Sequence, residues 1–392
     1  MTTLNRRRFL ELGSVASALG VTAPAFVIGA PQHVRGDAAQ DPDDRVIRLS
    51  GDGLGLTPAQ YSRLLMRLAE EKGIVPDAYI LDGVVDELEK EFARVLGKER
   101  AVFMPTGTLA NHLAVRALAG GPSRVIVQAE SHLYQDTGDC VQTLSNITLV
   151  PLAPGRASFT ADEVQQLLDQ TRTGRVASRV SVISLETPVR RKQGAIFDPA
   201  ETKKVVALAR REGIRLHLDG ARLFLEAAYA GKEVAEYTKS FDTVYVSLYK
   251  YFNAASGAIL AGPRELLDGM YHVRRMFGGG LCHAWPFAAV ALHYLTGFSD
   301  RFGRAVSSSN ELIRALSEHE AFTIEPIPSG TNLFHLSVNR TDAAAFQKKL
   351  VALGVVLPPP SPDGRFLVGV NETLNRTTAA KLADAFRRAI GS

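Results

Sequence analysis

The chain has 392 residues, with 45 Lys and Arg against 41 Asp and Glu, and a formal net charge of +4 at pH 7. A hydrophobic content of 46% and a charged content of 22% are ordinary for a globular protein, which excludes a disordered or fibrous chain. Arg6, Arg7, Arg8 and Glu11 together supply half of that net charge, and no basic cluster follows them, so we expect no nucleic-acid partner.

Only two cysteines occur, Cys140 and Cys282, without a Cys-x-x-Cys pattern or a nearby histidine pattern. This spacing argues against a disulfide framework and against a structural zinc site, and we expect no bound metal. Two buried free thiols are the favoured interpretation. A single bridge between them is the alternative if the protein reaches an oxidising compartment.

The first thirty residues resemble a twin-arginine export signal. Arg6 to Arg8 precede a stretch rich in Ala, Gly, Ser and Val that is too weakly apolar for a membrane span. The alternative is an amphipathic or disordered N-terminus. We expect a signal at residues 1–30, a polar linker at 31–45, export to the periplasm or the extracellular space, and no stable membrane association after the signal is removed. Twin-arginine export carries folded proteins, which suits an enzyme that takes up a cofactor before it leaves the cytoplasm.

Beyond the linker, β-branched runs alternate with helical patterns, which predicts an α/β fold with a mostly parallel sheet. The clearest unit is a strand at 179–185, a helix that Asp198 caps and Gly213 ends, and a second strand that reads IRLHLD; Glu201 is expected to complete a capping box. Because the chain exceeds the usual size of one core, we expect a large domain at 46–296 and a smaller α+β domain at 297–392. Another helix is predicted at 84–96, and further strands at 124–128, 243–247 and 257–261.

Ligands bind beyond the carboxyl ends of parallel strands, so residues at these places are the candidates for function. The first group is Thr106, Gly107 and Thr108, in the stretch FMPTGTLAN where a helix begins. Free backbone amides and hydroxyls at a helix start suit a phosphate, although the same residues also serve as a simple cap.

Two further candidates are His132, in ESHLY, and Asp219, at the end of the apolar strand in LHLDGARLF. A histidine here can pack on a flat ring or move a proton, or can be a surface residue. An acid at the end of a buried strand is costly without a cationic partner. That partner is either a protonated ring nitrogen of a ligand or Arg222 in a salt bridge.

The fourth candidate is Lys250, three residues after Ser247 in the stretch SLYK. The Ser-x-x-Lys spacing is typical of penicillin-binding proteins, but the strand context and the missing Lys-Thr-Gly motif argue against that class. A lysine amine that forms a Schiff base is the other interpretation. Ser247 then at most helps to hold a phosphate.

In this order, the four features resemble the pyridoxal-phosphate enzymes of fold type I in the threonine aldolase and β-eliminating lyase group, from about Leu49 to Leu374. The resemblance implies pyridoxal 5'-phosphate as cofactor, catalysis by Lys250, His132 and Asp219, and a homodimer or homotetramer. Implied cofactor-binding residues are Thr106, Gly107, Thr108, His132, Asp219, Arg222, Ser247 and Lys250. Implied ligands of an amino-acid carboxylate are Ser50, Arg222 and Arg365.

The departures from this group lie where substrates are selected. Its Ser-Lys-Gly is Tyr249-Lys250-Tyr251 here, and its Asn-Thr-His-Asn loop is replaced by TPVRRKQG at 187–194. The resemblance implies cleavage of β-hydroxy-α-amino acids to glycine and an aldehyde. The alternatives are β-elimination, racemisation or amino transfer with the same cofactor, or an exported protein that keeps the fold for binding alone.

Overall fold

The computed structural model describes residues 45–339 and 341–391. The predicted signal at 1–30 and all of the linker except its last residue lie outside the described residues. The strands of the large sheet are β2 (Arg100–Met104), β3 (Arg124–Gln128), β4 (Thr148–Leu152), β5 (Val180–Glu186), β6 (Arg215–Asp219), β7 (Thr243–Ser247) and β8 (Ala258–Gly262). The α-helices between residues 45 and 295 are α1 (Pro58–Lys72), α2 (Gly83–Val95), α3 (Gly107–Ala119), α4 (His132–Gln135), α5 (Cys140–Ser145), α6 (Ala161–Thr173), α7 (Pro199–Glu212), α8 (Leu223–Ala230), α9 (Val234–Thr238), α10 (Arg264–Leu267), α11 (Met270–Met276) and α12 (Trp285–Leu295).

The seven strands are hydrogen-bonded in the order β2-β8-β7-β6-β5-β3-β4. Strands β3 to β7 run parallel to one another, and β8 is antiparallel to both β7 and β2. All seven residues of β5 are buried, as expected for a strand covered by helices on both faces of its sheet. The expectation of an α/β fold with a mostly parallel sheet is confirmed.

The crossover from β5 through α7 to β6 shows how sequence signals place these elements. Asp198 caps α7, with its Oδ1 accepting from the backbone N–H groups of Ala200 and Glu201 at 2.7 and 3.1 Å. Gly213 ends the helix in the left-handed conformation, with φ of 66°. The expected capping box does not form, because the Glu201 carboxylate instead accepts from the N–H of Ala161 at 2.9 Å.

The C-terminal part contains β9 (Phe322–Pro326), β10 (Leu333–Val338) and β12 (Phe366–Gly369), which form an antiparallel sheet in the order β12-β10-β9. A parallel pair joins β1 (Ile47–Arg48) to β11 (Val355–Val356). Its buried apolar residues form a cluster of their own, which includes Ile47 and Leu49 from the start of the described chain. The predicted domain boundaries remain a prediction. The helices of this part are α13 (Phe298–Ser317), α14 (Ala343–Ala352) and α15 (Ala379–Ile390).

Both cysteines are free thiols; Cys140 is half-buried and Cys282 is exposed. The expectation that both thiols are buried is therefore wrong: Cys282 is exposed in the loop before α12, and Cys140 is only half-buried. Within residues 45–339 and 341–391, no helix combines the length and apolar character that crossing a membrane requires. No cluster of three or more potential metal ligands occurs in the same part of the chain.

Candidate active site

A cavity of about 980 Å³ opens at the carboxyl ends of the parallel strands. Five of the residues singled out from the sequence line it, namely Ser50, His132, Asp219, Arg222 and Lys250. Each follows or ends a strand of a sheet, so the topology brings together side chains that are far apart in the chain. Lining residues that the sequence did not single out include Asp52, Asp136, Glu186, Arg190 and Tyr245.

The predicted phosphate site, formed by Thr106, Gly107 and Thr108, lies at the start of α3, beside this cavity. Thr106 is the N-cap, and its hydroxyl accepts from the backbone N–H of Leu109 at 3.2 Å. Gly107 packs directly on Tyr245, which lines the cavity: a Cβ at this position would overlap the tyrosine hydroxyl and lie 2.5 Å from its Cζ atom. Only glycine fits this close approach. Because the Leu109 amide donates to Thr106, the amides of Gly107 and Thr108 are the ones left for a ligand at this helix start.

Asp219 ends β6 and is only 2% exposed. Its Oδ2 accepts from the Asn111 side-chain amide at 2.6 Å, and its Oδ1 accepts from the backbone N–H of Ala221 at 3.1 Å. Among the described residues no cation forms an ion pair with this carboxylate, so a salt bridge to Arg222 is not the explanation for its burial. Sequence reasoning missed Asn111 as a partner of Asp219.

Arg222 forms its ion pair with Asp52. The guanidinium Nε lies 2.9 and 3.1 Å from the two carboxylate oxygens, and Nη2 lies 2.9 Å from Oδ2. Both side chains are largely buried, at 18% and 14% exposed. The pair fixes the orientation of Arg222 at the edge of the cavity. Asp52 was missed in the sequence, although it follows the predicted substrate ligand Ser50 by two residues.

Lys250 lies just past β7, where its amine donates to the hydroxyl of Tyr249 at 3.2 Å. The same amine is 4.5 Å from the centre of the Tyr249 ring, a cation–π contact. Ser247, three residues earlier, is fully buried. Its hydroxyl meets no hydrogen-bond partner within the described part of the chain.

His132 begins α4, and its backbone N–H donates to Glu186 Oε2 at 2.5 Å. The second oxygen of Glu186 accepts from the N–H of Arg190 at 2.9 Å. Burial, followed by the neighbouring charge of Asp219, raises the pKa of Glu186 to about 7. Glu186 ends β5 directly opposite Asp219 in the register of the sheet. The signal that identified Asp219, an acid at the end of an apolar strand, would also have found it.

Arg365, a predicted substrate ligand, lies away from Ser50 and Arg222. It precedes β12, where it forms ion pairs with Asp363 at 2.7 Å and with Glu325 at 3.2 Å. It does not line the cavity. The two acids satisfy its charge at the surface, so the structure does not bring its guanidinium to Arg222 and Ser50.

The donor set fits the cofactor that the resemblance implies. Lys250 supplies an amine for its aldehyde, and Asp219 supplies a buried carboxylate for its ring nitrogen. The start of α3 at Gly107 and the unpartnered hydroxyl of Ser247 suit its phosphate. The Nδ1 atom of His132 is buried and meets no hydrogen-bond partner within residues 45–339 and 341–391, so this ring nitrogen also remains available to a ligand.

A family model described as beta-eliminating lyase matches residues 68–339. The low-specificity L-threonine aldolase of Candida albicans is 27% identical over 279 residues, which are 70% of this chain and 73% of that protein. A solved structure from Exiguobacterium sp. 255-15, assigned to the aromatic amino acid beta-eliminating lyase/threonine aldolase group, is 26% identical and has a TM-score of 0.71 over 88% of this chain and 97% of that chain. Serine palmitoyltransferase from Sphingomonas wittichii is 18% identical, with a TM-score of 0.61 over 88% of this chain and 87% of that one. This last likeness shows the fold alone, and it agrees with the expected fold type I.

Proposed function

The chain belongs to the beta-eliminating lyase family, and on that premise we propose that it cleaves β-hydroxy-α-amino acids to glycine and an aldehyde, as threonine aldolases do. It is a pyridoxal 5'-phosphate-dependent lyase. The observation that carries the proposal is the convergence of Lys250 and Asp219 on one cavity beside the helix start at Gly107. The similarity to a low-specificity L-threonine aldolase supports the choice of substrate.

Seven residues hold the cofactor in this proposal. When bound, pyridoxal 5'-phosphate supplies an aldehyde for amines and a protonated ring that accepts the electrons of the broken bond. Gly107 and Ser247 donate to its phosphate, and the Asp219 carboxylate accepts from its ring nitrogen. Lys250 contributes the amine, and His132 packs on the ring. Thr106 and Thr108 add hydroxyl groups at the phosphate end.

The substrate is oriented by its carboxylate. Arg222 lines the cavity, and Asp52 binds its Nε and Nη2 atoms, which fixes the plane of the guanidinium. Ser50 lines the same cavity and offers a hydroxyl. Together they hold the carboxylate and so set which bond of the α-carbon faces the ring.

His132 accepts the proton of the substrate's β-hydroxyl at Nδ1 in this proposal. That atom has no partner among the described residues, and the Glu186 carboxylate fixes the backbone that carries the ring. Removal of this proton is what releases the aldehyde when the bond between the α- and β-carbons breaks. Lys250, held by the Tyr249 hydroxyl, is the amine that returns a proton to the α-carbon.

A second candidate keeps the cofactor but changes the reaction to β-elimination, racemisation or amino transfer. It is favoured by one segment, residues 187–194, which replaces the Asn-Thr-His-Asn loop of threonine aldolases. Here Val189 is buried and Arg190 lines the cavity, paired with Asp136 at 2.5 Å. With Arg190 in the cavity wall and no histidine in this segment, different β-substituents fit.

The activity is tested by recording the visible absorption of the purified mature protein, before and after Lys250→Ala. The matched control is Lys232→Ala, since Lys232 also lies over a tyrosine ring, at 5.9 Å, but outside the cavity. We expect a coloured protein, loss of the colour in the Lys250 variant alone, and glycine from threonine, allo-threonine or phenylserine. A colourless protein that takes up no added cofactor contradicts the proposal. Colour without glycine from any of the three favours the second candidate.

Export and assembly are part of the same proposal. The arginine run at Arg6 to Arg8 supports twin-arginine export to the periplasm or the extracellular space, and replacing the three by Lys should leave the precursor in the cytoplasm. Unchanged export would refute the signal. We also propose a homodimer or homotetramer, as the family resemblance implies. Light scattering on the purified protein measures this directly, and a monomeric mass contradicts it.

A further inference from the structure

Four buried polar side chains form a continuous line of hydrogen bonds that ends at Asp219. Asn111 Nδ2 donates to Asp219 Oδ2 at 2.6 Å, and Asn111 Oδ1 lies 2.8 Å from His217 Nε2. His217 Nδ1 lies 2.9 Å from the hydroxyl of Thr243. None of the four side chains is more than 2% exposed. Asn111, His217 and Thr243 have no part in the proposed chemistry. Burying polar groups costs free energy, so their place in the core needs an explanation.

The donors and acceptors of these four groups can be arranged in only one way. An ionised carboxylate can only accept, so Asn111 must present its amide nitrogen to Asp219 and its oxygen to His217. Burial lowers the pKa of His217 to about 4, so its ring is neutral at physiological pH. Its one proton must then be on Nε2, facing Asn111, and its Nδ1 accepts from the Thr243 hydroxyl. Every donor and acceptor in the line therefore has one fixed role.

The surroundings of Asp219 explain why such support is needed. Glu186 from β5 and Tyr245 from β7 lie opposite Asp219 in the register of the sheet, and Tyr251 is a further ionisable group near this carboxylate. A buried carboxylate beside a second acid is costly unless donors stabilise its charged form. Hydrogen bonds arranged in series polarise one another, so His217 strengthens the donation of Asn111.

We propose that His217 is a positioning residue, which acts through Asn111 to hold the Asp219 carboxylate directed at the ring nitrogen of the bound cofactor. This inference rests on the proposed function, because the ring nitrogen belongs to pyridoxal 5'-phosphate. The alternative is that His217 is a core histidine whose hydrogen bonds serve stability alone.

The chain supplies a matched control for that alternative. His112 is the neighbour of Asn111 on α3, is 2% exposed, and has a pKa that burial also lowers to about 4. Its Nε2 lies 2.7 Å from the Ser145 hydroxyl, away from Asp219. A substitution at His112 therefore removes an equally buried histidine without touching the line to the cofactor.

The test compares His217→Leu, His217→Gln and His112→Leu with the wild type in the holoenzyme. The cofactor carries ¹⁵N in its pyridine ring, and its NMR shift reports whether that nitrogen is protonated. We expect His217→Leu to move this signal towards the unprotonated form, to weaken cofactor binding at least about tenfold, and to lower kcat at least about tenfold with KM changed less than about threefold. His217→Gln keeps a donor near the Nε2 position and should restore most of each value. His112→Leu should lower the melting temperature alone.

If His217→Leu does not fold, His217→Asn replaces it, because the shorter amide does not reach Asn111. An unchanged ¹⁵N signal and unchanged cofactor affinity in a folded His217 variant would overturn the inference. Equal effects of His217→Leu and His112→Leu on every measurement would do so too. The proposed function fails separately: a wild type that binds no pyridoxal 5'-phosphate refutes both, whereas a wild type with a protonated ring and indifferent His217 variants refutes only the positioning role.

Discussion

The amine of Lys250 donates a hydrogen bond to the hydroxyl of Tyr249 over 3.2 Å and lies 4.5 Å from the centre of that tyrosine's ring. The residue before the lysine is therefore in contact with the reactive amine. This is also a place where the chain differs from threonine aldolases, which have a serine there.

The two contacts of Tyr249 can be separated by substitution. Tyr249→Phe keeps the ring under the amine and removes the hydroxyl, whereas Tyr249→Ser removes both. Because an exposed cation–π contact is worth about 0.5–1 kcal/mol, we expect kcat to fall less than about threefold in the Phe variant and about fivefold or more in the Ser variant. Steady-state kinetics on the best substrate measures this. A Ser variant as active as the wild type would show that the tyrosine does not hold the amine.

Asp52→Asn should weaken both folding and substrate binding. The change leaves the largely buried Arg222 without its charged partner and without a fixed orientation, so we expect a loss of about 1–3 kcal/mol in the free energy of unfolding and a rise in KM of about tenfold. Asp268→Asn is the control, since Asp268 pairs with Arg100 at the surface, where an ion pair contributes at most about 1 kcal/mol. An unchanged KM in Asp52→Asn would mean that Arg222 needs no such support.

Gly107→Ala should abolish tight cofactor binding. The added methyl would overlap the Tyr245 hydroxyl and force the start of α3 away from β7, so we expect cofactor affinity to fall at least about tenfold. Adding Tyr245→Phe should restore only part of the affinity, because the ring carbon Cζ still lies 2.5 Å from the methyl position. Titration of the apo-protein with pyridoxal 5'-phosphate measures both variants. An unchanged affinity for the cofactor in Gly107→Ala would show that the phosphate site does not depend on this contact.

Glu226 gives the protein a stability that depends on pH. Burial raises the pKa of this carboxyl from 4.5 to about 7, so between these values the folded protein holds a proton that the unfolded chain releases. Stability should therefore fall as pH rises from about 4.5 to about 7, by up to about 3 kcal/mol for this group, and the loss should be complete above pH 7. Glu226→Gln keeps an acceptor for the Thr187 hydroxyl and removes the titration.

Thermal melting of the wild type and of Glu226→Gln between pH 5 and pH 8 measures the effect. We expect a smaller fall in melting temperature in the variant than in the wild type. Some fall should remain, because burial raises the pKa of Glu89 to about 7 as well. Parallel curves for the two proteins would contradict the assignment to Glu226.

The features that sequence reasoning found are those that local chemistry determines. Buried strands are rich in apolar residues, so the strand β6, in which only Arg215 and His217 interrupt the apolar run before Asp219, can be seen in one short stretch. The same holds for Lys250 after β7, and for Gly107 between two threonines at a helix start.

The strand predicted at 257–261 lies one residue later, because pairing with β7 and β2, rather than residue preference, decides where β8 begins.

The features that it missed depend on contacts between distant segments. Asn111 meets Asp219 across 108 residues, and Asp52 meets Arg222 across 170. Neither pairing has a local signal, because an asparagine in a helix or an aspartate in a loop is ordinary. Arg365 shows the converse. Its match to a family motif is local, but in the folded chain its guanidinium pairs with Asp363 and Glu325 rather than with a group in the cavity.

Helix α3 begins at Gly107, against Tyr245, and four residues later presents Asn111 to Asp219. Four residues of α-helix rise about 6 Å, so one rigid segment spaces the phosphate end of the site from its nitrogen end. An insertion or deletion here would turn Asn111 by about 100° away from Asp219 while leaving the cap at Thr106 intact. Homologous chains with this site should therefore vary in residue type along this segment but not in its number of residues.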